Sequence, residues 1–160
     1  MSESPTELDV LAIFSHPDDA ELSVSGTLLK LKSQGYRTGV LDMTRGEMGT
    51  RGTPEMRKKE AAEAARILKL DVRVNLGQPD GHVWPTEAAR AAVVRVLRAH
   101  APKVLLTTHW DDPHPDHANT CRIVREAARL ATMPRYDEEV QQEAIRMPAL
   151  MHSLFSRQVV

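Results

Sequence analysis

Residues 8–21 read LDVLAIFSHPDDAE, and this stretch decides the fold class. Leu8 to Phe14 is a short apolar run rich in Val, Leu and Ile, which is typical of a buried strand. Polar residues follow it, and from Ala20 to Gln34 apolar residues recur at helical spacing before Gly35, which favours the end of a helix. The stretch therefore predicts a strand, a polar loop and a helix, in that order.

The same order recurs along the rest of the chain. Strands are predicted at 38–44, 72–76 and 103–108, helices at 54–70, 86–99 and 117–131, and a fifth strand at 149–155. Parallel strands need crossover connections, which the intervening helices supply. We therefore expect residues 1–160 to form a single α/β domain, a Rossmann-like three-layer sandwich with a mostly parallel sheet.

Composition excludes several classes of function. The formal net charge of −1 argues against a nucleic-acid surface, which needs a concentrated excess of Lys and Arg. No apolar run approaches the roughly 20 residues that span a bilayer, and residues 1–8 do not resemble a secretory signal, so we expect a cytoplasmic protein. Because Cys121 is the single cysteine, any metal must be bound by His, Asp and Glu.

Two polar segments carry the residue types of metal binding and acid–base chemistry. HPDDAE (16–21) follows the first predicted strand, and HWDDPHPDH (109–117) follows the fourth. In an open parallel sheet, ligands bind beyond the carboxyl ends of the strands, where the winding reverses. If the strand order is the common 3-2-1-4, strands one and four are neighbours and the two segments meet in one crevice.

Within these segments, His16, Asp19 and His117 supply two imidazoles and one carboxylate. That set suits a catalytic zinc ion with one position open to water, whose pKa such an ion lowers to about 7. Asp18 is adjacent and free to act as the general base. Helix capping is the alternative interpretation of Asp19 and His117, since each lies near a predicted helix start.

The second segment offers two more candidate catalytic residues. A protonated His114 could stabilise the oxyanion of a tetrahedral intermediate. Asp116 is the candidate to orient His114 and to favour its charged form.

The two segments together resemble the LmbE/PIG-L family of zinc-dependent N-acetylglucosaminyl deacetylases. The similarity extends to TRGEMGT (44–50), RKKE (57–60), NLG (75–77) and PDG (79–81), and it covers residues 8–132. It implies zinc on the three ligands above, with Fe²⁺ as the alternative ion in the cell, and the same catalytic roles for Asp18 and His114.

The resemblance also implies three residues near an amino-sugar substrate. Arg57 and Asp80 would contact sugar hydroxyls, and Glu47 would lie close by. A solvated helix position explains Arg57 equally simply, and a Pro-Asp-Gly turn explains Asp80.

Within the family, the chain is most similar to enzymes that deacetylate the N-acetylglucosamine-malate precursor of bacillithiol. Relatives that act on inositol conjugates or chitin fragments share the same motifs. The family implies a homo-oligomer, a hexamer in relatives, and a longer C-terminal portion than this chain has. A catalytically inactive, sugar-binding remnant is therefore an alternative to an enzyme.

Two alternatives come from other functional classes. Two histidines and a carboxylate also describe the iron site of non-haem oxygenases, although their usual host fold is rich in β-structure. A nucleotide- or sugar-binding module on the same scaffold would have no need of Asp18. The dinucleotide version is disfavoured because no G-x-G-x-x-G follows the first strand.

Overall fold

The structure is a computed structural model that describes residues 6–137 and 141–153. Within these ranges the strands are β1 (Val10–Phe14), β2 (Thr38–Thr44), β3 (Val72–Gln78), β4 (Val104–Thr108) and β5 (Ala149–Ser153). The helices are α1 (Asp19–Ser33), α2 (Pro54–Leu68), α3 (Glu87–His100) and α4 (Pro115–Leu130). All neighbouring strands are parallel, in the order β3-β2-β1-β4-β5. This confirms the α/β class and places strands one and four side by side.

The central strand β1 is buried on both faces, and its side chains alternate between two hydrophobic clusters. Val10, Ala12 and Phe14 pack in the cluster that contains residues of α1. Leu11 and Ile13 pack in the larger cluster, which is built largely from α3 and α4. Because successive side chains of a strand point to opposite faces, one strand serves two cores. Helix α2 packs beside α1, which completes a three-layer sandwich.

Helix α4 begins two residues earlier than the sequence predicts, at Pro115 instead of His117. Proline suits the first position of a helix, where its missing N–H would have no helical partner. The preceding residue, His114, caps the helix by accepting a hydrogen bond from the backbone N–H of Asp116. His117 therefore lies in the first turn of α4, with its position fixed by the helix.

The remaining boundaries are close to those predicted. Helix α1 begins at Asp19, and β3 continues to Gln78. The fifth strand pairs with β4 as far as Ser153, while residues 154 and 155 of the prediction lie outside the described residues. Within the described ranges, no helix combines the length and apolar character needed to cross a membrane.

Two glycines provide a matched test of the packing of β1 and β2. A Cβ added at Gly39 in β2 would come within 2.7 Å of Leu8 Cδ1 and 3.2 Å of the Val72 carbonyl oxygen. We expect Gly39→Ala to lower the free energy of unfolding by about 1–3 kcal/mol. At Gly26, on an exposed part of α1, nothing lies within 4 Å of the added atom. Gly26→Ala should therefore stabilise the protein by about 0.5–1 kcal/mol.

Urea unfolding of the two variants beside the unchanged protein measures both effects. Equal stability of the two variants would show that the space around β2 is not as tight as the structure has it.

Candidate metal centre

The loops that follow β1 and β4 leave the sheet side by side. The two strands pair in parallel, with Val10 opposite Val104 and Ile13 opposite Thr107, so their carboxyl ends lie at the same edge. The loops after β2 and β3 reach this edge from the neighbouring side. The predicted meeting of the HPDDAE and HWDDPHPDH segments is present in the structure.

Three side chains at this edge form a compact group of donor atoms. His16 Nδ1 lies 3.3 Å from Asp19 Oδ2, and His117 Nε2 lies 3.3 Å from the same carboxylate oxygen. The distance between His16 Nδ1 and His117 Nε2 is also 3.3 Å. The three atoms thus form a nearly equilateral triangle, and the three side chains are largely buried.

The distance between the donor atoms indicates which coordination geometry they suit. Ligands at about 2.0–2.1 Å from a tetrahedral zinc ion lie about 3.3 Å from one another, which is the edge length found here. An octahedral ion such as Mg²⁺, with similar bond lengths, would bring neighbouring ligands to about 2.9 Å. The donors therefore fit one face of a tetrahedral site. Three protein donors leave the fourth position to water or substrate, as is usual in catalytic zinc sites.

A second group with suitable donor types shares one residue with the first. It consists of His16, His114 and Asp116, whose candidate atoms lie within 4.8 Å of one another. The two carboxylate oxygens of Asp116 already accept hydrogen bonds from the backbone N–H groups of Gly81 and Val83, at 2.8 and 3.2 Å. Asp116 thus links the loop after β3 to the start of α4 by two hydrogen bonds. The first group is therefore the better candidate for a metal site.

Electrostatics around the triangle favour a cation. Burial alone would lower the pKa of His16, but the hydrogen bond and charge of Asp19 and the charges of Asp80 and Asp116 outweigh it and raise the pKa to about 9. Burial also opposes ionisation of Asp19, yet hydrogen bonds from His117 and His16 hold its pKa below the ordinary value. The surplus of carboxylates is what a divalent ion would neutralise.

Asp80 contacts both a candidate ligand and the backbone of a neighbouring loop. Its Oδ1 lies 3.0 Å from His16 Nε2, while Oδ2 accepts the backbone N–H of Met48 at 2.8 Å, and the residue is only 7% exposed. A carboxylate on the far nitrogen of an imidazole fixes the ring orientation and keeps the near nitrogen free for a metal. The contact with sugar hydroxyls stays a prediction, and the structure adds a role in orienting His16.

Glu47 joins two loops at the same edge. Its two carboxylate oxygens accept backbone N–H groups, one from Asp80 at 3.0 Å and one from Arg45 at 3.2 Å. The residue lies on the exposed rim, which is compatible with the predicted position near the substrate. Its observed contacts hold the loops after β2 and β3 together.

Asp18 differs from its neighbours by being open to solvent. Its side chain is 55% exposed, lies 3.6 Å from Arg57 at the closest atoms, and makes no capping bond although it occupies the N-cap position of α1. It borders a pocket of about 390 Å³ that Arg51, Met56 and Arg57 also line. As an exposed carboxylate, Asp18 can exchange protons with a molecule in this pocket.

The ring of His114 is oriented by the backbone. Its Nδ1 accepts the N–H of Asp116 at 3.2 Å, so the proton of the neutral ring resides on Nε2. Partial burial, and then the positive charges of His117 and His16, lower the pKa of His114. The role inferred for His114 from the sequence applies if the ring is protonated; the structure favours a neutral ring, whose Nε2–H can still donate a hydrogen bond.

Two further residues of this region have no clear signal in the sequence. The first is Asp112, whose Oδ1 lies 3.1 Å from His117 Nδ1 and accepts the N–H of His114 at 2.9 Å. Nothing in the sequence separates it from Asp111, which is exposed. The only usable signal is its position a few residues before a candidate ligand.

The second such residue is Arg73 of β3, whose guanidinium group binds two residues of the HPDDAE segment, Pro17 and Glu21. It donates to Asp42 at 2.9 and 3.1 Å and to the Pro17 carbonyl oxygen at 3.0 Å, and it forms a short ion pair with Glu21. The sequence signal for this ion pair is weak: an arginine in strand β3 and an aspartate, Asp42, in the adjacent strand β2. Glu21 of the motif therefore has a structural partner.

Comparisons with known proteins identify relatives of this chain. Residues 11–128 match the family model described as PIG-L: GlcNAc-PI de-N-acetylase. A mycothiol S-conjugate amidase of Streptomyces coelicolor is 30% identical over 149 residues, covering 73% of this chain and 50% of its own length. A probable N-acetyl-α-D-glucosaminyl L-malate deacetylase 2 of Bacillus anthracis is 32% identical over 142 residues, covering 80% and 62%. The chain thus spans between half and two thirds of these relatives.

A solved structure gives the same fold at higher identity. The conserved protein TT1542 from Thermus thermophilus superposes with a TM-score of 0.89 and is 42% identical. The match covers 96% of this chain and 69% of that protein. The likeness extends across the sheet and helices that carry the candidate metal centre.

Proposed function

Because the chain belongs to the PIG-L family of de-N-acetylases, we propose that it is a zinc-dependent hydrolase that removes the acetyl group from an N-acetylglucosamine conjugate. The observation that carries this proposal is the triangle of His16 Nδ1, Asp19 Oδ2 and His117 Nε2, with edges of 3.3 Å, together with the exposed carboxylate of Asp18, the residue directly before Asp19. A purely structural zinc site would have four protein ligands and no need of a nearby base.

The residues divide the work of amide hydrolysis between them. When bound, zinc supplies Lewis-acid chemistry that makes a water molecule acidic enough to attack near neutral pH. Asp18 takes a proton as the water oxygen bonds to the acetyl carbon, and His114 Nε2–H donates a hydrogen bond to the carbonyl oxygen as it gains charge. The proton then passes from Asp18 to the amine nitrogen as the C–N bond breaks. The products are acetate and the free amino sugar.

For the substrate, we propose N-acetylglucosamine-malate. The support is the function for which the Bacillus anthracis relative is named, together with two cations, Arg51 and Arg57, in a pocket that the carboxylates of Asp18, Glu21 and Glu60 also line. Guanidinium groups pair well with the carboxylates of a malate aglycone. Inositol and chitobiose conjugates are the competing substrates, since relatives named for both are similar to this chain.

Removal of the metal gives the first test. We expect acetate release from N-acetylglucosamine-malate to fall to background after dialysis against a chelator and to return when zinc is added. Measuring the same reaction with N-acetylglucosamine-inositol and free N-acetylglucosamine ranks the three substrates, and the malate conjugate should have the highest kcat/KM.

The outcomes separate the parts of the proposal. Faster turnover of the inositol conjugate would keep the deacetylase and overturn the malate assignment. Acetate release that is indifferent to chelation would overturn the metal dependence. Binding of the sugar without any turnover would favour the inactive remnant instead, and oxygen consumption without acetate would favour the oxygenase.

A further inference from the structure

Asp112 lies in the loop between β4 and α4 and faces two parts of the site with one oxygen. Its Oδ1 accepts the backbone N–H of His114 at 2.9 Å and lies 3.1 Å from His117 Nδ1. The side chain is only 4% exposed, whereas the preceding Asp111 is open to solvent. A carboxylate removed from water is costly unless such contacts compensate it, so this burial indicates a specific arrangement.

The ring of His117 is held between two carboxylates. On one side Nε2 lies 3.3 Å from Asp19 Oδ2, and on the other Nδ1 faces Asp112. A neutral imidazole carries one proton, and only the unprotonated nitrogen can bind a metal. A proton on Nδ1, which lies 3.1 Å from Asp112 Oδ1, leaves the lone pair of Nε2 free on the side of the triangle.

The backbone at this position is fixed separately. The hydroxyl of Thr108 donates to the carbonyl oxygen of His117 at 2.7 Å, and His117 is in the first turn of α4. These contacts place the Cα atom but do not determine how the ring is turned or which nitrogen carries the proton. The carboxylate that faces Nδ1, and so can select the tautomer, is that of Asp112.

We propose that Asp112 is a positioning residue that holds His117 as the Nδ1–H tautomer and thereby sets the affinity of the site for zinc. The proposal rests on the metal site of the proposed function and does not require acetate release. It makes the site symmetrical, because Asp80 makes the corresponding contact with the far nitrogen of the other imidazole, His16 Nε2. Outer carboxylates of this kind typically change metal affinity by about 10–100-fold when removed.

Three variants test the proposal by zinc affinity, measured by competition with a chromophoric chelator. Asp112→Ala removes both contacts and should weaken zinc binding by about 10–100-fold. Asp112→Asn keeps an acceptor for the His114 N–H while removing the charge, and it should fall between Asp112→Ala and the unchanged protein. Asp111→Asn changes the charge of the same loop at an exposed position and should leave the affinity unchanged.

Circular dichroism of the metal-free variants shows whether they keep the helix content of the unchanged protein, and Asp112→Asn provides the test if Asp112→Ala does not fold. Unchanged zinc affinity in both Asp112 variants would overturn the proposal, as would an equal loss in Asp111→Asn. Weaker zinc binding in the Asp112 variants of a protein that releases no acetate would support the role of Asp112 and count against the deacetylase. Acetate release by Asp112 variants whose zinc affinity is unchanged would support the deacetylase and overturn the role of Asp112.

Discussion

Asp18→Asn is expected to lower kcat for acetate release by about 10²–10⁴-fold while zinc binding stays within about twofold of the unchanged protein. Asp18 is exposed and lies outside the triangle of donor atoms, so its loss leaves the three ligands in place. Asparagine has nearly the shape of aspartate but cannot accept and return a proton. The loss should therefore appear in kcat far more than in KM.

The measurement is steady-state acetate release by zinc-loaded protein, with the metal content determined on the same samples. Asp111→Asn is the matched control, since it removes an exposed carboxylate from the neighbouring loop and should retain full activity. If Asp18→Asn turned over as fast as the unchanged protein, another group would be the base. A variant that lost its zinc as well would show that Asp18 helps to bind the ion.

Arg73→Met should produce the largest loss of stability among the substitutions considered. The guanidinium group is largely buried and pairs with Asp42 and Glu21 while also binding the carbonyl oxygens of Pro17 and Ala61. Removing one partner from a buried ion pair leaves the other charge uncompensated, which costs about 3–5 kcal/mol in free energy of unfolding. The loop that carries His16 would lose its support at the same time.

The state of Asp42 provides an internal check on this explanation. Burial raises the pKa of Asp42 to about 6, even though the hydrogen bonds and charge of Arg73 act in the opposite direction. Without Arg73, the ionised carboxylate has little left to stabilise it. Asp42→Asn combined with Arg73→Met should therefore recover part of the stability lost in the single variant.

Chemical denaturation of the metal-free proteins measures these effects without a contribution from zinc binding. Arg66→Met is the control, because Arg66 pairs with Glu63 on the exposed surface of α2 and its removal should leave stability unchanged. A similar, small effect of both arginine substitutions would mean that the Arg73 cluster does not hold the loop in place.

The fold and the meeting of the two polar segments could be predicted from the sequence because each rests on a local pattern. Apolar runs such as Leu8 to Phe14 identify the strands, and their alternation with helices requires a parallel sheet. The topology then brings His16 and His117 to one edge without any knowledge of side-chain contacts. These parts of the prediction depend on periodicity and on strand order alone.

The partners of the ligands could not be predicted in the same way. Asp111 and Asp112 are adjacent and chemically identical, yet one is exposed and the other is buried against His117. The sequence predicts that Asp116 orients His114, but its carboxylate oxygens bind the loop after β3. Which carboxylate meets which N–H depends on loop conformation, and residue type and spacing do not determine it.

Zinc anomalous diffraction from crystals of the zinc-loaded protein tests the central claim most directly. One strong peak should lie in contact with His16 Nδ1, Asp19 Oδ2 and His117 Nε2, with no fourth protein ligand. A peak on the other group, at His114 and Asp116, or an ion closed in by four protein donors, would contradict both the assigned centre and the hydrolase built on it.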